Sequence, residues 1–376
     1  MALVAGEASG DLLAGLLLQG LRARWPGLQA GGIGGRQMQA QGFDAWWPND
    51  KLAVRGYAEV LRHYREIAGI RNQLKVRLLV ERPDVFIGVD APDFNLDLEG
   101  TLRRNGVPTV HFICPSVWAW RPERIHKIRR SVDHVLCIFP FEPELLARHG
   151  IAATYVGHPL AGAIPLEPDR AAARASLGLV DSDPVVAVLP GSRRSEVQYI
   201  APRFFAAVAR MRQARPDLRF VVPAVPALMA PIADAARAAG VAAVVQLVPG
   251  QSHAVLAACD VTLVASGTAT LEAALFKRPM VIGYNMHALS WWLMRRKQLQ
   301  PWVGLPNILC GEAVVPELLQ DAATPQALAD ATLAWLQPGS ESAVAALQQR
   351  FTALHAELLR DTAQLATDAI DKILAG

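Results

Sequence analysis

The chain lacks the marks of a disulfide scaffold, a membrane-spanning protein or a nucleotide hydrolase. Its four cysteines, Cys114, Cys137, Cys259 and Cys310, are scattered and never fall in a CxxC spacing. Free thiols in a reducing compartment are the simplest reading. No apolar run reaches the length of a bilayer-spanning helix, so no transmembrane segment is expected. Met1–Gly6 runs into a polar loop without a basic leader and is expected to be a short first strand rather than a signal peptide. Neither the GxGxxG fingerprint nor the GxxxxGK[ST] phosphate loop occurs, which argues against nicotinamide chemistry and nucleotide hydrolysis. Charge is nearly balanced, 37 Lys and Arg against 34 Asp and Glu with a net charge of +3. That is too mild to imply a nucleic-acid partner.

What is present points to a large α/β protein. The 376 residues are 52% hydrophobic and 19% charged, enough for two domains with sizeable cores. Short apolar strands alternate with helical patterns, as in Val85–Val89, Pro108–Ile113, Val185–Leu189 and Val261–Val264. The alternation stops between Pro165 and Pro184, where Pro, Asp, Arg and Ala carry no strand signal, and then restarts. Two Rossmann-like domains are therefore expected, 1–168 and 169–344, facing each other across a ligand-binding cleft. A helical tail over 345–376 is expected to pack back on the first.

The first half turns on Pro83–Asn95. Val85, Phe86, Ile87 and Val89 form a strand that Pro92 stops abruptly, leaving Asp90 at its carboxyl end with Asp93 and Asn95 close behind. In open parallel sheets ligands bind at that end. Asp90 is either a catalytic carboxylate or a cap for the next helix, expected from Leu96 to Asn105. Other loops add candidates. Gly6-Glu7-Ala8-Ser9-Gly10-Asp11 joins the first strand to a helix over Leu12–Arg24, and its glycines suit either a ligand or a tight turn. The glycine-rich Ala30–Gly35 suits either the approach of a sugar or phosphate to the backbone or a flexible loop. Pro115–Arg121 brings Ser116, Trp118 and Trp120 to another strand end, as a sugar or acyl platform or as packing. His158, before a proline, is either a substrate contact or structural.

The second half offers two anion-binding loops. Gly191-Ser192-Arg193 and Ser266-Gly267-Thr268 each lie between a strand and a helix start, where N–H groups and the helix dipole favour a diphosphate. Arg193 adds a permanent positive charge. Glu272, one to two turns on, either accepts ribose hydroxyls or is a solvent-facing helical carboxylate. The stretch His287–Val303 carries Trp291, Trp292, Arg295, Arg296 and Lys297, a mixture suited to an anionic membrane surface or to a buried helix with a basic flank. The helix expected over Tyr57–Glu81 is a second candidate surface.

Taken in order, Gly6-Glu7-x-Ser9-Gly10-Asp11, Val89–Asn95, Pro115–Arg121, Leu189–Arg193, Ser266–Glu272 and Leu305-Pro306-Asn307 resemble the lipid-A-disaccharide synthase family. The resemblance runs from about residue 2 to about residue 320. It implies a GT-B glycosyltransferase that joins UDP-2,3-diacylglucosamine to 2,3-diacylglucosamine 1-phosphate and releases UDP, without metal or other cofactor, at the cytoplasmic face of the inner membrane. It implies inversion to a β-1,6 bond, with Asp90 as general base and Asp93 as the alternative. Gly191, Ser192, Arg193, Ser266, Gly267, Thr268, Glu272 and Asn307 would hold the donor. Gly6, Ser9, Gly10, Asp11, Ser116, Trp118 and Trp120 would hold the acceptor. A homodimer is left open. The alternatives are another UDP-sugar enzyme, such as a wall-synthesis N-acetylglucosaminyltransferase or a 2-epimerase, and a non-catalytic UDP-sugar or lipid binder.

Overall fold

The computed structural model describes residues 1–49, 52 and 57–375, without the side chains of residues 8, 57–64, 289 and 293. The first sheet has strands β1 (Ala2–Ala5), β2 (Gly31–Gly34), β3 (Asp44–Pro48), β4 (Phe86–Val89), β5 (Thr109–Phe112), β6 (His134–Cys137) and β7 (Ala152–Tyr155), in the order β3-β2-β1-β4-β5-β6-β7. The second has β8 (Val185–Leu189), β9 (Arg219–Ala224), β10 (Val245–Pro249), β11 (Val261–Ala265), β12 (Met280–Tyr284) and β13 (Glu317–Leu319), in the order β10-β9-β8-β11-β12-β13. The described pairings are all parallel. Such sheets need cover on both faces, which is why β4 and β8 read as continuous apolar runs, β11 is interrupted only by Thr262, and all three are buried along their whole length.

In each sheet the chain winds outward, then returns to the other side of its first strand. The switch points lie between β1 and β4 and between β8 and β11. Ligands of open α/β sheets bind beside such points, at the strands' carboxyl ends. The loops entering there are Gly6–Glu7 and Asp90–Ala91 in one unit, and Pro190–Arg193 and Ser266–Gly267 in the other.

The chain divides into two compact units, residues 1–159 with 358–376, and residues 160–357. The polar stretch 165–184 suggested a boundary near 168, but all of it lies within the second unit. It contains the helix Arg170–Ser176, capped by Asp169. Its charge is partly internal: buried Arg174 donates to the carbonyls of Val180, Asp181, Asp183 and Ala258 and pairs with Asp260 at 2.9 Å. The tail is two helices, Glu341–Leu358 and Thr362–Ala375. His355 fastens the first to Ala161 O and Lys277 within the second unit. The last helix belongs to the first unit, where Asp368 and Asp371 pair with Arg24.

Two helices start earlier than their apolar pattern suggests, at Ala8 rather than Leu12 and at Pro92 rather than Leu96. Pro92 sits at the first helical position, where its fixed φ suits the helix and its missing N–H costs nothing. The helix Tyr57–Glu81 has the expected bounds and buries Ile70, Leu74 and Leu78. Its helical spacing puts Leu61 and Tyr64 on the apolar face and Arg62 on the basic one, and those side chains lie outside the described residues.

Candidate active site

The first unit's switch point is built by close approach of two loops. A Cβ placed on Gly6 would lie 3.4 Å from Ala91 Cβ, and one on Gly10 would lie 3.7 Å from Val89 Cγ1. Asp90 and Ala91 both take left-handed backbone, with φ of 52° and 44°. Successive non-glycine residues there cost on the order of 1 kcal/mol each. The surroundings hold the strained pair in place. Asp90 N donates to Phe112 O at 2.9 Å, and Phe94 N and Asn95 N both donate to Ala91 O. The buried Asn95 amide donates to Asp90 O at 2.8 Å. The helix N-cap residue is Ala91, not Asp90. Asp90 is thus a half-buried carboxylate at a strained strand end.

Asp93 is differently placed. It lies in the helix's first turn, its side chain is 82% exposed, and Arg124 holds it at 2.6 Å. Ser9 is exposed in the first turn of Ala8–Arg24. Asp11 is buried and accepts from Gly35 N, Gln37 N and Met38 N, tying the helix Arg36–Ala40 to its neighbour. The glycines of Gly31–Gly35 serve packing: added Cβ atoms would meet the Trp46 ring, Leu3 O, Met38 and Asp11.

The tryptophan loop splits. Ser116 and Trp120 are exposed, with the Arg121 guanidinium 4.3 Å from the Trp120 ring centroid. Trp118 is only 7% exposed. Its Nε1 donates to Glu142 Oε1 at 3.0 Å, and its ring meets Phe139 and Phe141 edge-on. Packing therefore accounts for Trp118. His158 lies against Phe139 in the same box.

That box makes stability depend on pH in two opposing ways. Burial pushes the Glu142 carboxyl up to about 7 from 4.5, against hydrogen bonds from Phe139 N, Trp118 and Ile138 that pull it down. Burial drives the His158 imidazole from 6.5 down to about 4. The raised carboxyl supports folding below its unfolded value, and that support is lost as pH rises through 7. The depressed imidazole supports folding above its unfolded value, and that support is lost as pH falls through 4. With His158→Gln, stability by urea denaturation should fall as pH rises from about 4.5 to 7, at no more than about 1.4 kcal/mol per pH unit. With Glu142→Gln, it should instead fall as pH drops from about 6.5 to 4. Profiles identical to wild type in both variants would refute the assignment.

In the second unit, Arg193 caps the helix Arg194–Ala214 and its side chain is 65% exposed. The Ser192 and Arg193 N–H groups donate to Glu196 Oε2 at 3.1 and 3.2 Å. Two donors expected for an anion are thus already satisfied by a carboxylate, and Gly191, at φ 108°, packs directly on Glu196. Gly267, at φ 126°, opens the helix Thr268–Leu275, and a Cβ there would meet nothing within 4 Å. Ser266 Oγ donates to Val303 O at 3.3 Å. Glu272 lies 3.4 Å from His253 Nε2, and this partnership raises the His253 pKa.

Asn307 faces inward. Its Nδ2 donates to Val315 O and Glu317 Oε1, and its Oδ1 accepts from Val314 N and Val315 N. All four hydrogen-bonding positions are used. Glu317 in turn accepts from Val303 N and Gly304 N. Asn307 thus clamps the segment beside Ser266 instead of offering donors outward.

The helix Ala288–Lys297 exposes Trp292, Arg295, Arg296 and Lys297, with Trp291 half-buried. Arg296 stacks 3.6 Å from the Trp292 ring centroid. Among the described residues no helix is long and apolar enough to cross a membrane.

Glu196, His253, Glu317 and the buried Glu99–His111 pair take their places only through the fold. Glu196 sits three residues after the Arg193 cap, a spacing typical of a carboxylate that folds back on a helix start. The other three had no local signal, because their partners are distant in sequence.

Comparison with known proteins identifies the family and the fold. The family model described as lipid-A-disaccharide synthetase matches residues 1–370. The lipid-A-disaccharide synthase of Albidiferax ferrireducens is 69% identical, covering 100% of this chain and 97% of that protein. That of Burkholderia thailandensis is 56% identical, covering 100% and 96%. Among solved structures, UDP-GlcNAc 2-epimerase from Neisseria meningitidis bound to UDP-GlcNAc superposes with TM-score 0.63 at 12% identity, covering 100% and 98%. A glycotransferase of kitacinnamycin gives 0.60 at 16%, covering 99% and 98%. At such identities the structural likeness establishes the fold, GT-B with two Rossmann-like units, and nothing about substrate. The full-length family match carries the identification: the chain belongs to the lipid-A-disaccharide synthases, UDP-sugar-dependent glycosyltransferases of lipid A biosynthesis.

Proposed function

We propose that the chain joins UDP-2,3-diacylglucosamine to 2,3-diacylglucosamine 1-phosphate by a single inverting displacement. The acceptor's 6-hydroxyl oxygen bonds to the donor's anomeric carbon as the bond from that carbon to the diphosphate oxygen breaks. Asp90 takes the hydroxyl proton, and UDP leaves with the bonding electron pair. The observation that carries this reading is Asp90 itself: a half-buried carboxylate on strained backbone at the first sheet's switch point. A general base needs this placement within hydrogen-bond reach of the proton it removes. Asp93, exposed and paired with Arg124, is the weaker choice.

The second unit takes the donor. Arg193 presents a permanent charge to the diphosphate, and the open helix start at Gly267 adds its dipole. The Glu272 carboxylate accepts from the ribose hydroxyls and His253 orients it. Asn307 acts indirectly by holding Val303 beside Ser266. On the acceptor side, Ser9, Ser116 and Trp120 are the exposed groups, while Gly6, Gly10, Asp11 and Trp118 shape the scaffold. The departing charge is neutralised by Arg193 without a metal ion. UDP release should therefore survive EDTA and require acceptor. Arg193→Ala should raise KM for the donor about 10- to 100-fold, the loss of one charge-assisted contact, with Arg193→Lys recovering part of it. An unchanged donor KM in Arg193→Ala would remove Arg193 from the site. Release without acceptor would point to hydrolysis or epimerisation.

Both substrates carry acyl chains, so the protein must meet a lipid surface. The exposed Trp292 beside Arg295, Arg296 and Lys297 fits an anionic interface, as do exposed Val76 and Val80 flanking Arg77 on Tyr57–Glu81. A cytoplasmic enzyme held peripherally at the inner membrane follows from this reading. It predicts salt-sensitive sedimentation with anionic vesicles, weakened by a combined Trp292, Arg295 and Arg296 alanine variant.

A further inference from the structure

The Asp90 turn rests on a buried polar row that the proposed chemistry does not use. Asn95 follows Asp90 by a little more than one helical turn, is fully buried, and donates through Nδ2 to Asp90 O at 2.8 Å and Val89 O at 3.4 Å. Glu99 lies one turn further on and binds His111 Nδ1 at 2.7 Å, with both side chains fully buried. His111 is the register partner of Gly88 on the adjoining strand. Asn95 and Glu99 both rest on Gly88, where a Cβ would come within 2.8 Å of Asn95 Cβ. Asn95 is therefore confined below by β4 and along the helix by the Glu99–His111 pair.

Its amide orientation is forced. Nδ2 faces two carbonyl oxygens, and the opposite assignment would set oxygen against oxygen. Asn95 Oδ1 is buried with no hydrogen-bond partner among the described residues. A buried amide that uses only its donor side is a poor choice for stability, since an apolar side chain of similar shape would avoid its desolvation. Its two bonds go to the last strand carbonyl and to the carbonyl of Asp90.

We infer that Asn95 is a positioning residue for the base: it locks the Asp90 peptide in its left-handed setting and so fixes the direction of the carboxylate. This rests on the reading of Asp90 as the base. Asn95 touches neither substrate; it acts through Asp90.

The test uses Asn95→Leu, which keeps the branched shape and removes the donor, with the full-length protein and both diacylated substrates. The thermal midpoint should hold or rise while kcat falls 10- to 100-fold, with both KM values within threefold of wild type. In an Asp90→Asn background the same change should leave the residual rate within twofold. A kcat within threefold of wild type would overturn the inference, as would equal slowing in both backgrounds. If Asp90→Asn alone keeps its rate within tenfold, the base assignment fails, and the positioning role fails with it. Should Asn95→Leu not fold, Asn95→Ala carries the same comparisons, with its rate set against that of Gly88-neighbouring core truncations of equal thermal midpoint.

Discussion

Asp90→Asn should lower kcat by about 10²- to 10⁴-fold, the range general-base catalysis supplies, with substrate KM values changed by less than threefold. The substitution suits the question because Asn is among the few residues that tolerate left-handed backbone, so the turn at φ 52° is kept. The carboxylate disappears while the hydrogen bonds from Asn95 and to Phe112 remain, since both use Asp90's backbone. UDP release, measured with and without acceptor in EDTA, reads the loss directly. The control is Asp93→Asn. Its carboxylate is exposed and paired with Arg124, an ion pair worth roughly 0–1 kcal/mol. That variant should keep its rate within about threefold, in line with such a small contribution. A reversal, with Asp93→Asn dead and Asp90→Asn active, would move the base one helical turn and dissolve the argument from backbone strain.

The second large effect is at Gly88. Gly88→Ala should destabilise the first unit by about 2–3 kcal/mol, the upper range of overpacking, and should depress kcat as well. The added methyl falls on Asn95 Cβ and on the Glu99 carboxylate, and neither can yield easily. Glu99 is held to His111 at 2.7 Å with both fully buried, and Asn95 is held to Asp90 O. Relief requires the helix Pro92–Arg104 to shift away from β4, which moves the Asp90 turn at its head. A urea midpoint and kcat both within error of wild type would show that the contact relaxes at no cost. Gly100→Ala is a milder comparison on the same helix, where the nearest atom to an added Cβ is Ser131 Oγ at 3.0 Å.

The expectations that succeeded rested on local patterns. Strands such as Val185–Leu189 announced themselves because a strand buried on both faces is largely apolar. The helix Tyr57–Glu81 followed from apolar spacing. Loop positions at strand ends followed from the alternation itself. Failures of local reading had a common cause. The polar stretch 165–184 looked like a linker because Arg174 and Asp260, whose pairing buries its charge, lie far apart in sequence. Trp118 looked like a platform equal to Trp120 because nothing nearby announces Glu142 as the indole's partner. Asn307 looked like a ligand because its four partners become visible only when Val303–Glu317 folds around it.

The sequence by itself determined the fold class, the family, and which loops stand at the strand ends. Fold class and loop positions depend on short-range spacing of apolar, glycine and proline residues, and the family on the order of several motifs along most of the chain. Only the tertiary structure decided how each polar group is held. Asp11, Trp118 and Asn307 are tied to distant partners, while Asp90 is carried on strained backbone at a switch point. The reason is physical. A buried polar side chain must find hydrogen-bonding partners, and the chain reaches most of those partners only after it has folded.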